Sequence, residues 1–256
     1  MFIIFLANED LERERDYFKE IIGSKFLMEG EIIEQSIVFF IAGYETTAST
    51  LAYCLYELAA NPEIQSRLYV EIQAAKKESN AKSLISHQTV QSLPYLDAVL
   101  SETLRKYPPA ISIINRECSV DGYCLGPEAN NLSLNRGDIV LFPVYSIHHC
   151  EEYHSDPERF DPDRFYVKER RELIRPYTYL PFGAGPRNCV GMRFALKEAK
   201  LGLANIIDRF EILLDKSLDK QTGKSSQKNF QLNQHLCVVV LKTEPIYLRV
   251  KKRNTL

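Results

Sequence analysis

The chain is 256 residues long and 45% hydrophobic, enough for one large domain or two small ones with a substantial core. Acids and bases nearly cancel (34 against 32, net −2), which excludes the strongly basic footprint of a nucleic-acid-binding protein. Six cysteines, at 54, 118, 124, 150, 189 and 237, form no CxxC pair, so a zinc ribbon or a small disulfide scaffold is excluded and reduced thiols in a cytosol-facing protein are expected.

Residues 1–30 read as a lead-in segment. Met1 to Leu6 are apolar, but Asn8, Glu9 and Asp10 follow at once, and a signal peptide needs a basic start and a longer apolar run. Glu31 to Ala59 then reads as one uninterrupted helix, unusually long for a globular protein. Its stretch Gln35–Tyr56 is long enough to span a bilayer. Against a span, Glu45 lies near its centre, at a cost of about 2.5–3.5 kcal/mol on insertion. The flanking Glu31, Glu34, Glu57 and Glu63 also lack the usual basic residues, so a long buried helix is expected.

That helix stops at Asn61-Pro62, where Asn can cap and Pro can open the next helix. The second helix, about Pro62 to Lys77, carries Ile64, Leu68 and Ile72 at four-residue spacing. A polar linker follows, Glu78 to Ser86. Pro94 opens a third helix with Leu96, Val99, Leu100 and Leu104, ended by Tyr107-Pro108-Pro109. From Ala110 to Arg175, Gly, Pro, Asn and Asp punctuate short apolar runs such as Ile111–Ile114 and Ile139–Phe142, which predicts small strands joined by irregular chain. A helix from about Gly191 to Phe210 is expected, then a polar surface loop over 217–228. Val238–Leu241 and Ile246–Val250 read as a terminal hairpin. The fold class is mainly α with small β-sheets.

The segment carrying most chemistry is Pro181-Phe182-Gly183-Ala184-Gly185-Pro186-Arg187-Asn188-Cys189-Val190-Gly191. It is a glycine-rich loop that delivers one cysteine to the start of a helix. Glycines permit positive φ and a close approach of backbone to a flat ligand. The helix start supplies amide N–H groups and positive potential that favour a thiolate. Phe182 is placed to shield the sulfur, and Arg187 to pair with a carboxylate. In the third helix, Glu102 and Arg105 stand at i, i+3 and share a face. In the long helix, Ala42-Gly43-Tyr44-Glu45-Thr46-Thr47 puts an acid and hydroxyls in apolar surroundings. The histidines at 87, 148, 149, 154 and 235 form no HExxH-type ligand pair and receive no role.

The pattern Phe182-x-x-Gly185-x-Arg187-x-Cys189-x-Gly191 resembles the haem signature of the cytochromes P450. The wording of Phe40–Thr47 and of Pro181–Ala195 is close to the animal drug- and steroid-metabolising branch that includes thromboxane synthase. The resemblance covers nearly all of the chain after about Gly30 and corresponds to the carboxyl-terminal half of the P450 fold. On this reading the chain is a fragment, a partial gene model or a truncated isoform, without the amino-terminal membrane anchor of its relatives.

The resemblance implies haem b with Cys189 as axial thiolate and metal ligand. Phe182, Gly183 and Arg187 would line the loop side, Arg116 would bind a propionate, and Ala42 and Gly43 would leave room on the oxygen side. Glu45 and Thr46 would relay the protons that O–O cleavage needs. Glu102 and Arg105 would lock to an arginine in one of two downstream segments, Pro157–Phe160 or Pro162–Phe165. Arg164 of the second is the expected partner, and all three are bracing residues. The activity implied is insertion of one atom of O₂ into a lipophilic substrate. Electrons would come from NADPH through a reductase, with cytochrome b5 as a further partner, at the cytoplasmic face of the endoplasmic reticulum membrane through the amino-terminal half. Two alternatives stand beside it: a haem-thiolate isomerase that rearranges a peroxide, against which Thr46 argues, and a truncated product without catalysis. Ala42, Ala110, Ile111, Leu236 and Cys237 would face the substrate and indicate only that it is lipophilic.

Overall fold

The computed structural model describes residues 27–79, 84–109, 114–127, 130–215 and 245–253. The chain divides into two compact units, Met1–Glu45 and Thr46–Leu256. The boundary falls inside the first helix, α1 (Glu29–Ala60).

The described part of the first unit is the amino-terminal half of α1. Glu31 turns back on the helix start and accepts the Met28 amide at 2.9 Å, satisfying one of the donors a helix leaves unpaired. Beyond it the side chains Ile32, Ile33, Ile37, Val38, Phe39, Phe40 and Ile41 are all exposed. Among the described residues, no helix is long and apolar enough to cross a membrane.

In the second unit, the rest of α1 buries Thr47, Thr50, Tyr53, Cys54, Glu57 and Leu58. It joins α2 (Pro62–Glu78), the short α3 (His87–Gln91) and α4 (Pro94–Lys106). With α8 (Met192–Arg209) these build the core, in which Cys54, Leu58, Leu68, Ile72, Val99, Leu100, Leu203 and Ile207 are fully buried. Each such aliphatic side chain contributes about 1.5–3 kcal/mol on leaving water.

The start of α2 differs from the capping expected of Asn61. Asn61 precedes Pro62 but makes no side-chain cap. Its amide instead donates backwards to the Glu57 carbonyl at 2.9 Å and the Glu57 carboxylate at 3.1 Å, sealing the end of α1 rather than the start of α2. The start of α4, preceded by Leu93, is capped from a distance. Glu71 of α2 accepts the Tyr95 and Leu96 amides at 2.8 and 2.9 Å, a carboxylate placed at the positive end of the helix.

The segment between α4 and α8 holds small antiparallel ladders and single-turn helices. Strand β1 (Asn115–Glu117) pairs with β4 (Ile139–Leu141), Arg116 opposite Val140. Strand β2 (Tyr123–Cys124) pairs with β3 (Ser133–Leu134). Helices α5 (Val144–His148), α6 (Asp163–Tyr166) and α7 (Lys168–Arg171) follow. Helix α8 ends at Arg209, and Phe210 opens β5 (Phe210–Leu214), which pairs with β6 (Leu248–Lys252). The expected hairpin partner Val238–Leu241, the loop 217–228, and residues 111–113 of the Ile111–Ile114 run lie outside the described residues, as does most of the lead-in segment. Gln65 of α2, 3% exposed, ties β5 to the helices: its amide donates to Leu58 and Ile212 carbonyls and accepts the Ile212 amide, each at 2.9 Å.

Candidate active site: the Cys189 loop

The loop is shaped by two glycines in the left-handed region, Gly183 (φ 71°) and Gly185 (φ 76°), which residues with a Cβ adopt only under strain. Gly183 closes a turn by donating to the Leu180 carbonyl at 3.1 Å, and a 3₁₀ turn covers Gly185–Arg187. The Cys189 amide then returns to the Phe182 carbonyl at 2.8 Å, which pins the cysteine to the base of the loop. Helix α8 starts at Met192, three residues beyond a cysteine that stays exposed, and its N-cap Gly191 offers no side-chain cap. The first-turn amides therefore direct their positive end toward the loop.

Cys54 provides the contrast. Burial pushes its thiol up to about 12, with a small opposing pull from Thr103, so that sulfur is chemically inert. Cys189 is the thiol presented to solvent by a built loop.

Two guanidinium groups accompany it. Arg187 is exposed on the loop itself, and neither it nor Arg116 forms an ion pair among the described residues. Arg116 lies exposed on β1 and donates to the Asn115 carbonyl at 2.6 Å. A Cβ placed on Gly183 would stand 3.5 Å from Ile114 Cδ1, so the loop packs against the residue that leads into β1. The structure thus brings the loop and the strand of Arg116 together. An exposed thiol, backbone left bare by glycines and two uncommitted cations fit a flat dianionic macrocycle with a metal at its centre.

Ala42, Gly43, Glu45 and Thr46 are neighbours on α1, with Ala42 to Glu45 in the first unit and Thr46 opening the second. Helix α1 runs unbroken through the acid–threonine step, in line with the uninterrupted helix expected over Glu31 to Ala59, and the Thr50 hydroxyl donates to the Thr46 carbonyl at 2.8 Å. A Cβ on Gly43 would meet nothing within 4 Å. Thr47 Oγ1 is the one buried side-chain polar atom without a partner among the described residues. Of the residues expected to face substrate, Ala110, Ile111, Leu236 and Cys237 lie outside the described residues.

The bracing residues come together in the interior. Glu102 accepts from Arg105 Nε at 2.8 Å and Nη2 at 2.9 Å, and from Arg164 Nε at 3.4 Å. The Asp161 amide adds a fourth donor at 3.0 Å. Arg105 also donates to the carbonyls of His148 (3.0 Å) and Pro157 (2.7 Å), and Arg164 reaches the Asp156 carbonyl at 2.7 Å. Burial raises the Glu102 carboxyl, against the pull of Arg105. Arg159, the alternative partner, contributes only its carbonyl, 3.5 Å from Arg105. The cluster straps the chain between Ser155 and Arg164 onto α4 and touches no part of the cysteine loop directly.

The sequence profile of the cytochrome P450 family matches residues 7–248. The chain belongs to the cytochrome P450 family. Its curated relatives include mouse cytochrome P450 3A16, 40% identical over 98% of this chain and 45% of the relative, and mouse cytochrome P450 3A11, 41% identical over 92% and 43%. A fruit-fly relative, "Probable cytochrome P450 6a13", is 42% identical over 79% of this chain and 40% of its own length. The chain spans less than half the length of these P450 relatives. Its architecture, mainly helical with small antiparallel sheets, is that of the family's fold class.

Sequence reasoning gives His148 no role, although it is fully buried and bonded at both ring nitrogens. No spacing could reveal it, because both partners are backbone atoms of residues far away in the chain.

Proposed function

We propose that this protein is a haem-thiolate monooxygenase. It would insert one atom of O₂ into a lipophilic substrate with electrons from NADPH through a reductase. The observation that carries the reading is the exposed Cys189 thiol, held by the hydrogen bond from its own amide to the Phe182 carbonyl on a double-glycine loop at the start of α8, in a chain of the P450 family. When bound, haem b supplies the activation of dioxygen. Cys189 would hold the iron, and Arg187 and Arg116 the two propionates, each as a charge-assisted pair. Phe182 and Gly183 would exclude water from the sulfur and admit the flat ring. Ala42 and Gly43 would leave space on the opposite side, and Glu45 and Thr46 would deliver protons through carboxylate and hydroxyl. Glu102, Arg105 and Arg164 take no part in the chemistry and hold the scaffold. Membrane association at the endoplasmic reticulum and a cytochrome b5 partner follow from the same kinship.

The test is Cys189→Ser in the full-length protein, loaded with haem, reduced and treated with carbon monoxide. A thiolate-ligated ferrous carbonyl absorbs well to the red of a histidine-ligated one. The red-shifted band should disappear in the variant while the fold persists, and its survival would overturn the assignment.

A further inference from the structure

Arg105 and His148 clasp each other. The Arg105 guanidinium donates to the His148 carbonyl at 3.0 Å, and the His148 ring meets the Arg105 carbonyl through Nδ1, also at 3.0 Å. The other ring nitrogen, Nε2, lies 2.8 Å from the Leu180 amide. A carbonyl only accepts and an amide N–H only donates, so the pair of contacts fixes the tautomer: Nδ1 carries the proton and Nε2 is bare. The Arg105 carbonyl is one of those that the C-terminal turn of α4 leaves without a helical partner. The imidazole thus satisfies an orphan acceptor on α4 and an orphan donor on the chain entering the cysteine loop. The ring is fully buried, stacks on Tyr179 with centroids 5.6 Å apart, and burial lowers its pKa to about 3, so it stays neutral.

From Leu180 the connection continues through the loop. The Leu180 carbonyl receives the Gly183 amide, and the Phe182 carbonyl receives the Cys189 amide. Leu180 is therefore the fixed end of the turn that sets where Cys189 stands. We propose that His148 is a positioning residue for the Cys189 thiol: its bare Nε2 anchors the root of the loop to the buried Glu102–Arg105 brace. The consequence for iron ligation rests on the haem-thiolate reading, but the anchoring itself does not.

Two substitutions separate the ring's contacts. In His148→Gln the side-chain carbonyl reaches the place of Nε2 and keeps an acceptor for Leu180. In His148→Asn the side-chain amide reaches the place of Nδ1 and keeps the donor to Arg105 while losing the acceptor. Both leave a similar gap beside Tyr179. Amide hydrogen exchange of Leu180, Gly183 and Cys189 is measured on the haem-free protein, and the proportion of red-shifted carbonyl on the same protein loaded with haem. We expect the Asn variant to exchange at least tenfold faster at all three amides and to lose most of the red-shifted band, with the Gln variant close to the parent in both. Equal behaviour of the two variants would reduce His148 to packing and overturn the proposal. So would loosened amides with an unchanged carbonyl spectrum, because the thiol would then be placed without the anchor. Cys189→Ser, which tests the ligand itself, should leave the Leu180 exchange unaltered, so failure of the haem reading is told apart from failure of the anchor.

Discussion

Both carboxylate oxygens of Glu102 face the guanidinium of Arg105, at 2.8 and 2.9 Å, and both side chains are wholly excluded from solvent. Such a pair adds little to stability against a well-packed apolar alternative, but removing one partner strands a buried charge. Glu102→Ala leaves two guanidinium groups, Arg105 and Arg164, without their shared anion. We expect a loss of about 3–5 kcal/mol in urea unfolding, a large part of the roughly 5–15 kcal/mol that holds a domain together. Glu172→Gln breaks the exposed 3.9 Å pair with Lys168 and serves as the control, with a change below about 0.5 kcal/mol. Comparable losses in the two variants would mean the interior cluster is solvated.

Acid should destabilise the fold through the histidines. Burial, the largest cause, lowers His148 to about 3, with like charge from His154, Arg105 and His149 adding to it against the hydrogen bond to Arg105. His149 and His154 are lowered as well, first by burial. A histidine whose folded pKa is depressed binds fewer protons folded than unfolded. Its stabilising effect is complete above its unfolded value of about 6.5 and is lost as pH falls toward 3. For His148 alone the slope is about 1.4 kcal/mol per pH unit in that window. Urea midpoints measured from pH 7 down to pH 5 should fall, and less steeply in His148→Gln, which cannot take up the proton. A flat profile in the parent chain would show that His148 is reached by water.

The long helices were legible because proline and periodicity mark them. Pro62 and Pro94 open α2 and α4, and Leu68 and Ile72 fall on the buried face. The single-turn helices were not, since four or five residues such as Val144–His148 carry no periodic signal and are held by tertiary bonds. Strand β5 was hidden because Phe210-Glu211-Ile212-Leu213-Leu214 follows α8 with no breaker, and its pairing partner Leu248–Lys252 is remote in sequence. At the site, the residue types of the Cys189 loop announced themselves through glycine spacing. The bonds that hold the loop's root, from His148 to two main-chain atoms, left no pattern to read.

Gly183 of the cysteine loop and Gly43 of α1 should respond oppositely to alanine. Gly183 has φ 71°, and a Cβ there would make only ordinary contact with Ile114 at 3.5 Å, so the cost is conformational. Gly183→Ala should lose about 1 kcal/mol or more and weaken haemin binding by distorting the turn before Cys189. Gly43 is helical with open space around its Cβ position, and Gly43→Ala should gain about 0.5–1 kcal/mol in the haem-free chain. Thermal midpoints of the two variants shifting the same way would refute this reading of the backbone.

The first half of α1 carries an apolar surface that its own unit does not cover. Ile37, Val38, Phe39, Phe40 and Ile41 are each more than half exposed, from 52% to 72%. Five consecutive residues at about 100° per step travel the whole circumference of a helix, so no single packing face could bury them. Phe40 and Tyr44 stack on one another with centroids 6.0 Å apart, which covers only part of one side. Soluble monomers rarely leave contiguous apolar patches larger than a few hundred Å² in water. This segment therefore needs other protein surface around it, and the 256-residue chain expressed alone should supply that surface by self-association. Sedimentation at rising micromolar concentration should show oligomers that bind an apolar dye. Phe40→Lys should disperse them while preserving helicity, because lysine is a good helix former and the position makes no core contact. A parent chain that stays monomeric and dye-silent across that range would show that the helix is covered in solution.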